Sequence, residues 1–293
     1  PPLARLPDLS LDRVANAKLI RHIEAGGIRT MMYGGNANFY HVGAYELAGI
    51  LDFLAETAGE NTWMIPSIGP DYGKMIDQVD IMRSRAFPTA MVLPQFAPIS
   101  IEGTAAGLRR VADRFGRPLI LYIKDEGRVT ADGVQRLFED GVLCGVKYAI
   151  PRANPAEDAL LKDLVARIGN DRIVSGMGER PAVAHLKTFN LAAFTSGLVC
   201  IAPRTSNSLL AAIRRGDWTE AERIRQIFVP GEDLREKHGF IPVLHDAVTF
   251  SGIADMGRML PLLSNTPEAI HAPVRKLAGD TVAAEAKLTQ KAA

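Results

Sequence analysis

The sequence predicts an α/β chain of the (β/α)8 TIM-barrel class with a C-terminal helical extension, for three reasons. Short apolar, β-branched runs alternate with segments of helical spacing about every 20–35 residues, the pitch of a βαβ unit, which implies a parallel sheet covered by helices. Seven such runs are clear, and a helical stretch precedes the first, so an eighth, degraded strand is expected within residues 3–9. No GxGxxG follows an early strand, as a dinucleotide-binding doubly wound sheet would usually show.

Residues 11–24 read as the leading helix through Leu11, Val14, Leu19 and Ile23. The strand runs follow as IRTMMY (28–33), TWMIP (62–66), TAMVLP (89–94), PLILYI (118–123), VLCGVKYAI (142–150), DRIVSG (171–176) and FTSGLVCIA (194–202). Between them Tyr45, Leu47, Ile50, Leu51 and Leu54 mark one helix face, and Val134, Leu137 and Phe138 another. Residues 206–214 give a helix, and there the alternation stops. The division expected is therefore a barrel over 1–215 and a helical region over 216–293. That region reads as helices over 218–228, 233–250 and 267–277 with Pro and Gly at the joints, and an Ala- and Lys-rich terminal helix over 283–293 that frays. The 293 residues exceed the roughly 250 of a bare barrel, and the excess falls in this tail, expected to serve packing or assembly.

Composition narrows the function classes. Hydrophobic residues make up 47% and charged residues 23%, an ordinary globular balance that excludes disorder and collagen-like repeats. Lys and Arg total 34 against 33 Asp and Glu, net +1 with no basic cluster, so no nucleic-acid partner is expected. Cys144 and Cys200 are too few for a disulfide framework and fit a reducing, cytoplasmic setting. No apolar run approaches the roughly 18 residues of a membrane span. The chain opens at Pro1, which leaves a trimmed targeting segment open. The six histidines show no HxH or HExxH spacing, so no metal is expected, and His185, His238, His245 and His271 read as structural.

In a barrel of this class function collects where the strands end. Alternation along VLCGVKYAI sends Val142, Cys144, Val146 and Tyr148 toward the outer helices and Leu143, Gly145 and Lys147 inward, with Gly145 leaving room beneath the lysine. In the neighbouring strand Leu119, Leu121 and Ile123 face out while Ile120 and Tyr122 face in, so Tyr122 and Lys147 close adjacent strands about 5 Å apart. An enclosed lysine is poorly solvated, its pKa falls, and the neutral amine can attack a ketone to form an iminium. Tyr122 would move protons, since its hydroxyl both donates and accepts. Periodicity alone leaves a second reading open, a strand-end lysine with its ammonium in solvent beside a core tyrosine.

These residues resemble the dihydrodipicolinate synthase and N-acetylneuraminate lyase family of Schiff-base aldolases. GVK (145–147) resembles the family's G-[IV]-K strand, and LILY (119–122) the strand ending in its proton-shuttling tyrosine. YGGNANFYHV (33–42) stands where the G-[TS]-T-G-E loop holds a 2-oxo acid carboxylate, while SG (175–176) and SGLVCIAP (196–203) stand at the seventh and eighth strands. The resemblance implies that Lys147 forms the Schiff base and Tyr122 relays protons. It further implies that Gly35, Asn36, Lys124, Gly176 and Val199 line the substrate, that no cofactor is needed, and that the chain assembles as a dimer or tetramer. The carboxylate loop departs from the pattern, because Gly35 and Asn36 replace hydroxyl residues; their backbone amides, with the Asn36 side chain, would bind the carboxylate instead. Pro94-Gln95-Phe96 replaces the synthases' P-Y-Y, so the second tyrosine is absent and its role falls to Tyr40 or His41. YIKDEGR (122–128) shifts the expected arginine to Arg128 and introduces Lys124-Asp125, which leans toward acid-sugar dehydratases, or else is a solvated salt bridge.

The expectation is thus a metal-independent lyase or hydro-lyase acting on pyruvate or a 2-keto-3-deoxy sugar acid. Three alternatives stand beside it: a barrel that binds a 2-oxo acid without turnover, dihydrodipicolinate synthesis proper, and a phosphate-substrate barrel. The last would use Gly176, Gly178, Glu179, Arg204, Thr205, Ser206 and Asn207. For Ser206 the simpler expectation is a helix cap.

Overall fold

The computed structural model describes residues 1–96 and 98–292, with side chains to residue 288; Ala97 and Ala293 lie outside the described residues. Seven parallel strands form one curled sheet in the unbroken order β1-β2-β3-β4-β5-β6-β7. They are β1 (Thr30–Tyr33), β2 (Trp63–Ile68), β3 (Ala90–Val92), β4 (Leu119–Ile123), β5 (Leu143–Tyr148), β6 (Ile173–Ser175) and β7 (Ala193–Phe194). A doubly wound sheet would reverse its order at a switch point. Sequential order throughout is the barrel solution, and the fold is of the (β/α)8 class.

Eleven helices accompany the strands among the described residues. Helix α1 (Arg13–Ala25) precedes β1, and α2 (Ala44–Thr57), α3 (Tyr72–Met82), α4 (Ile101–Phe115), α5 (Ala131–Glu139), α6 (Ala159–Ile168) and α7 (Ala182–Phe189) cover the crossovers. Asp12, Ser100, Thr130 and Asp158 each accept a backbone N–H in the first turn of their helix. The chain finishes with α8 (Pro203–Arg214), α9 (Trp218–His238), α10 (Phe240–Phe250) and α11 (His271–Ala292). None of the described helices is long and apolar enough to cross a membrane. The main core lies between sheet and helices, while Ile65, Met91 and Ile120 form a separate inner cluster with Met32 and Tyr122 against it.

Several expectations require correction. Residues 3–9 do not form the eighth strand; Arg5 makes only isolated bridges, to Leu11 and Gly257. The Asn16 side chain takes both polar groups of Ala4, donating to its oxygen and accepting from its nitrogen at 2.9 Å, so the ladder's hydrogen bonds are replaced locally. In β5 a register shift between Leu119 and Ile120 pairs Leu119 with Leu143 but Ile120 with Gly145. The extra residue turns Leu143 into the outer core and leaves Cys144 exposed, the reverse of simple alternation, while Val146, Lys147 and Tyr148 keep their expected faces. The run 194–202 yields only the two-residue β7; Val199 sits in a 3-10 turn over Leu198–Cys200.

In the tail, helix α9 continues through Pro230 and breaks instead at Gly239, where φ is +104°. Gly231 explains the continuity, because a Cβ there would stand 2.6 Å from Leu198 and 2.8 Å from Leu277. Close packing on both sides holds the segment that Pro-Gly would otherwise open. Likewise the stretch 233–250 is not one helix, and α11 is helical to Ala292, with Ala293 of the expected terminal helix outside the described residues.

Candidate active site

Strand register sets the centre of the site. Tyr122 on β4 pairs directly with Lys147 on β5, and the lysine Nζ lies over the tyrosine ring, 4.0 Å from its centroid. No carboxylate or other hydrogen-bond acceptor among the described residues meets this amine. Burial, and secondly the positive charge of Arg235, lower its pKa from 10.5 to about 8. That lowering corresponds to about 3 kcal/mol against the ammonium. The ring face works the other way, by about 0.5–2 kcal/mol, and does not cancel it. Burial also raises the Tyr122 phenol, with the charges of Lys124 and Arg235 opposing and Asp125 adding. Tyr122 thus keeps its proton and can donate it.

The glycine that clears space for the lysine is not Gly145, whose added Cβ would make ordinary contact with Ile120 at 3.6 Å. It is Gly176, just beyond β6: a Cβ there would stand 2.9 Å from Lys147 Cγ and 2.8 Å from the Tyr148 carbonyl oxygen. Any larger residue would displace the Lys147 side chain.

After β1 the chain turns tightly. Gly34 offers its carbonyl to the N–H groups of Ala37 and Phe39, and Gly35 to that of Asn38, whose φ of +56° closes the turn. A Cβ on Gly34 would meet Met91 and Ser67 at 2.7 Å, so the turn sits pressed onto the inner wall. Among the described residues the Gly35 and Asn36 N–H groups donate to nothing. The Asn36 carboxamide oxygen accepts from Arg235 Nη2 at 3.2 Å.

Of the two residues expected to replace the missing tyrosine, Tyr40 lies nearer. Its ring packs on Gly35 and on Phe96, 6.2 Å between centroids, and burial, Tyr122 and Asp125 push its pKa up. His41 is lowered by burial and by Lys74 instead, and faces that way. Lys124 and Asp125 are exposed and form no ion pair with each other; with Tyr122, Gln95 and Arg128 they line a small cavity at the strand mouth. Val199 is partly buried against the main core, its N–H held by Ser196 Oγ at 2.9 Å.

The phosphate reading fails on occupancy. At the start of α8 the Arg204 and Thr205 N–H groups and the Thr205 hydroxyl donate to Glu285 of α11, at 2.9, 2.9 and 2.7 Å. The protein's own carboxylate fills that anion site. Ser206 is no cap; it lies inside α8 and donates to Glu179 Oε1 at 2.8 Å.

Sequence reasoning missed Arg235 and Glu232, and it named Glu179 only for the phosphate alternative. Arg235 is 5% exposed and pairs with Glu232 one turn earlier on α9. Glu179, fully buried, has its carboxyl pushed up to about 7 by burial and by Glu232, and its Oε2 has no partner among the described residues. A buried charge in a helix read only as packing was the signal available: LRE within an otherwise amphipathic tail gives no periodic clue.

The chain is thus a (β/α)8-class barrel that brings a half-buried lysine, unpaired among the described residues, against a tyrosine at adjacent strand ends. No protein-family model matches the chain. It is similar to a probable 5-dehydro-4-deoxyglucarate dehydratase of Cereibacter sphaeroides, 27% identical over 241 residues, 77% of this chain and 76% of the relative. A probable 5-dehydro-4-deoxyglucarate dehydratase 2 of Streptomyces coelicolor is 21% identical over 208 residues, 69% of this chain and 63% of the relative. The 4-hydroxy-tetrahydrodipicolinate synthase of Pseudomonas aeruginosa is 28% identical over 194 residues, 64% of this chain and 62% of the relative. The chain thus spans less than two thirds of the length of these last two. Among solved structures, dihydrodipicolinate synthase from Oceanobacillus iheyensis superposes with a TM-score of 0.84 at 20% identity, covering 95% of this chain and 93% of that one. A prophage protein of the dihydrodipicolinic acid synthase family from E. coli K12, in complex with pyruvate, gives 0.83 at 20%, covering 96% and 97%. The fold is shared with these structures, and the resemblance read from the sequence holds in both comparisons.

Proposed function

We propose that the chain is a Schiff-base lyase or hydro-lyase of the dihydrodipicolinate synthase type, acting on pyruvate or a 2-keto-3-deoxy sugar acid. The single observation that carries the reading is a half-buried lysine amine at a strand end, with no counter-ion among the described residues and with a tyrosine ring against it. With a pKa of about 8, roughly one amine in ten is neutral at pH 7, several hundred times the fraction of an ordinary lysine.

The neutral Lys147 Nζ adds to the C2 carbonyl carbon of the 2-oxo acid. The oxygen leaves as water after accepting protons, and Tyr122 is the hydroxyl placed to deliver and retrieve them. The resulting iminium draws electrons from C3, so a proton can be lost there and a hydroxyl expelled from C4, or a C3–C4 bond can break. The Gly35 and Asn36 N–H groups hold the carboxylate. Relatives named as dehydratases, together with a charged Lys124-Asp125 pair in place of the synthases' pattern, favour elimination of water from a sugar acid. Lys124, Gly176 and Val199 complete the substrate surface in this reading, which also carries a cytoplasmic setting and assembly as a homo-oligomer.

Borohydride reduction in the presence of a panel of 2-oxo acids, followed by mass mapping, tests it. A reduced adduct on Lys147 with pyruvate or a 2-keto-3-deoxy acid is expected, and Lys147→Ala should remove it. No adduct on Lys147 with any of the acids sinks the reading.

A further inference from the structure

A residue from the C-terminal helices reaches the substrate turn. Arg235 on α9 donates from Nη1 to both carboxylate oxygens of Glu232 at 3.1 Å, from Nε to the Phe240 carbonyl oxygen at 3.1 Å, and from Nη2 to Asn36 Oδ1 at 3.2 Å. The loop after β7 makes way for it: a Cβ on Gly197 would stand 2.6 Å from Nη1 and 2.8 Å from the guanidinium carbon. Glu232 is 3% exposed and balances the charge, so the guanidinium is not an open anion receptor. Its remaining bond is directional. A primary amide whose oxygen is held on one side presents its NH2 on the other, and the Asn36 NH2 has no partner among the described residues. It belongs to the same turn as the two unbonded backbone N–H groups.

We propose that Arg235 is a positioning residue for substrate recognition: it fixes Asn36 so that the side-chain amide donates to the carboxylate of the bound 2-oxo acid. In this arrangement Asn36 does the work of a hydroxyl loop, and the helical tail supplies the residue that aims it. The inference rests on the Schiff-base reading of Lys147 for the identity of the ligand. Its substrate class is a 2-oxo monoanion at C1, whatever the chain beyond C3.

The test is a double-mutant cycle read with a charged and an uncharged ligand. Because Arg235→Gln alone would strand a buried carboxylate, it is combined with Glu232→Gln, and thermal melting verifies that each variant folds. The ligands are pyruvate and its methyl ester, and the readout is the concentration giving half-maximal reductive trapping on Lys147. Asn36→Ala should raise this concentration about tenfold for pyruvate, as loss of a hydrogen bond to a charged group does, and leave methyl pyruvate within about twofold. The Glu232→Gln/Arg235→Gln variant should change the ratio of the two ligands' values by the same factor, any effect of the lost Arg235 charge on Lys147 being common to both, and adding it to Asn36→Ala should not change that ratio further, since residues acting through one contact are not additive. Equal weakening of pyruvate and its ester, or effects that multiply in the combined variant, would overturn the proposal. If wild type forms no adduct on Lys147, calorimetric titration with pyruvate reads the same cycle. Binding weakened by Asn36→Ala then keeps the Arg235 proposal while the Schiff-base reading falls, and absence of pyruvate binding overturns both.

Discussion

Two parts of the molecule offer backbone donors of the kind that hold an anion, and they are in opposite states. At the start of α8 the Arg204 and Thr205 N–H groups and the Thr205 hydroxyl are saturated by Glu285. After β1 the Gly35 and Asn36 N–H groups have no acceptor among the described residues, and there the side chain beside them is held by Arg235 through its oxygen. In sequence the two looked alike, each a polar turn at a strand end. Occupancy distinguishes them: a donor set filled from a helix some eighty residues away is a tie between elements, whereas an empty one is open to a ligand.

The sharpest way to break this contrast is at Gly176. Gly176→Val pushes on Lys147 Cγ without touching either donor set, and should cut trapping on Lys147 about a hundredfold, the cost of misplacing a reacting group by about 1 Å. Unchanged trapping would mean that Lys147 does not need its observed position.

Glu285→Ala sharpens the contrast from the other side. It orphans three donors at α8, two of them on buried Thr205, and should cost about 2–3 kcal/mol of stability by chemical denaturation while leaving trapping within about twofold. Sulfate should restore part of the loss by occupying the vacated donors. A large fall in trapping with unchanged stability would place this end of α8 in the substrate site after all.

The smallest effect is expected at Glu179. Its folded pKa is raised from 4.5 to about 7, so the native state favours the neutral acid. The stability this contributes is present in full below the unfolded value and is lost as pH rises through about 7. Glu179→Gln should therefore raise Tm relative to wild type at pH 8 by about 3 °C and by less at pH 5. A gain equal at both values would show that Glu179 is not the titrating group.

Much of the fold was legible because it follows from period. The strand runs and the Tyr122–Lys147 register depend on neighbours in sequence or in the adjacent strand. What escaped depends on distant chain. The bulge in β5 reversed Leu143 and Cys144, Asn16 replaced an eighth strand's hydrogen bonds, and Leu198 and Leu277 held a helix straight through Pro230. The site divides the same way. Lys147 and Tyr122 could be placed from alternation, but Arg235 meets Asn36 across 199 residues, and no local pattern marks that contact.

The central claim is that Lys147 is a nucleophile for a 2-oxo acid because its amine loses its proton far more readily than an ordinary lysine's. Trace acylation by acetic anhydride, mapped to individual lysines by mass from about pH 6 to 11 with and without pyruvate, measures this directly. Lys147 should titrate with a midpoint near 8, well below the surface lysines, and pyruvate should protect it. A midpoint near 10.5, or acylation that pyruvate leaves unchanged, would contradict the account.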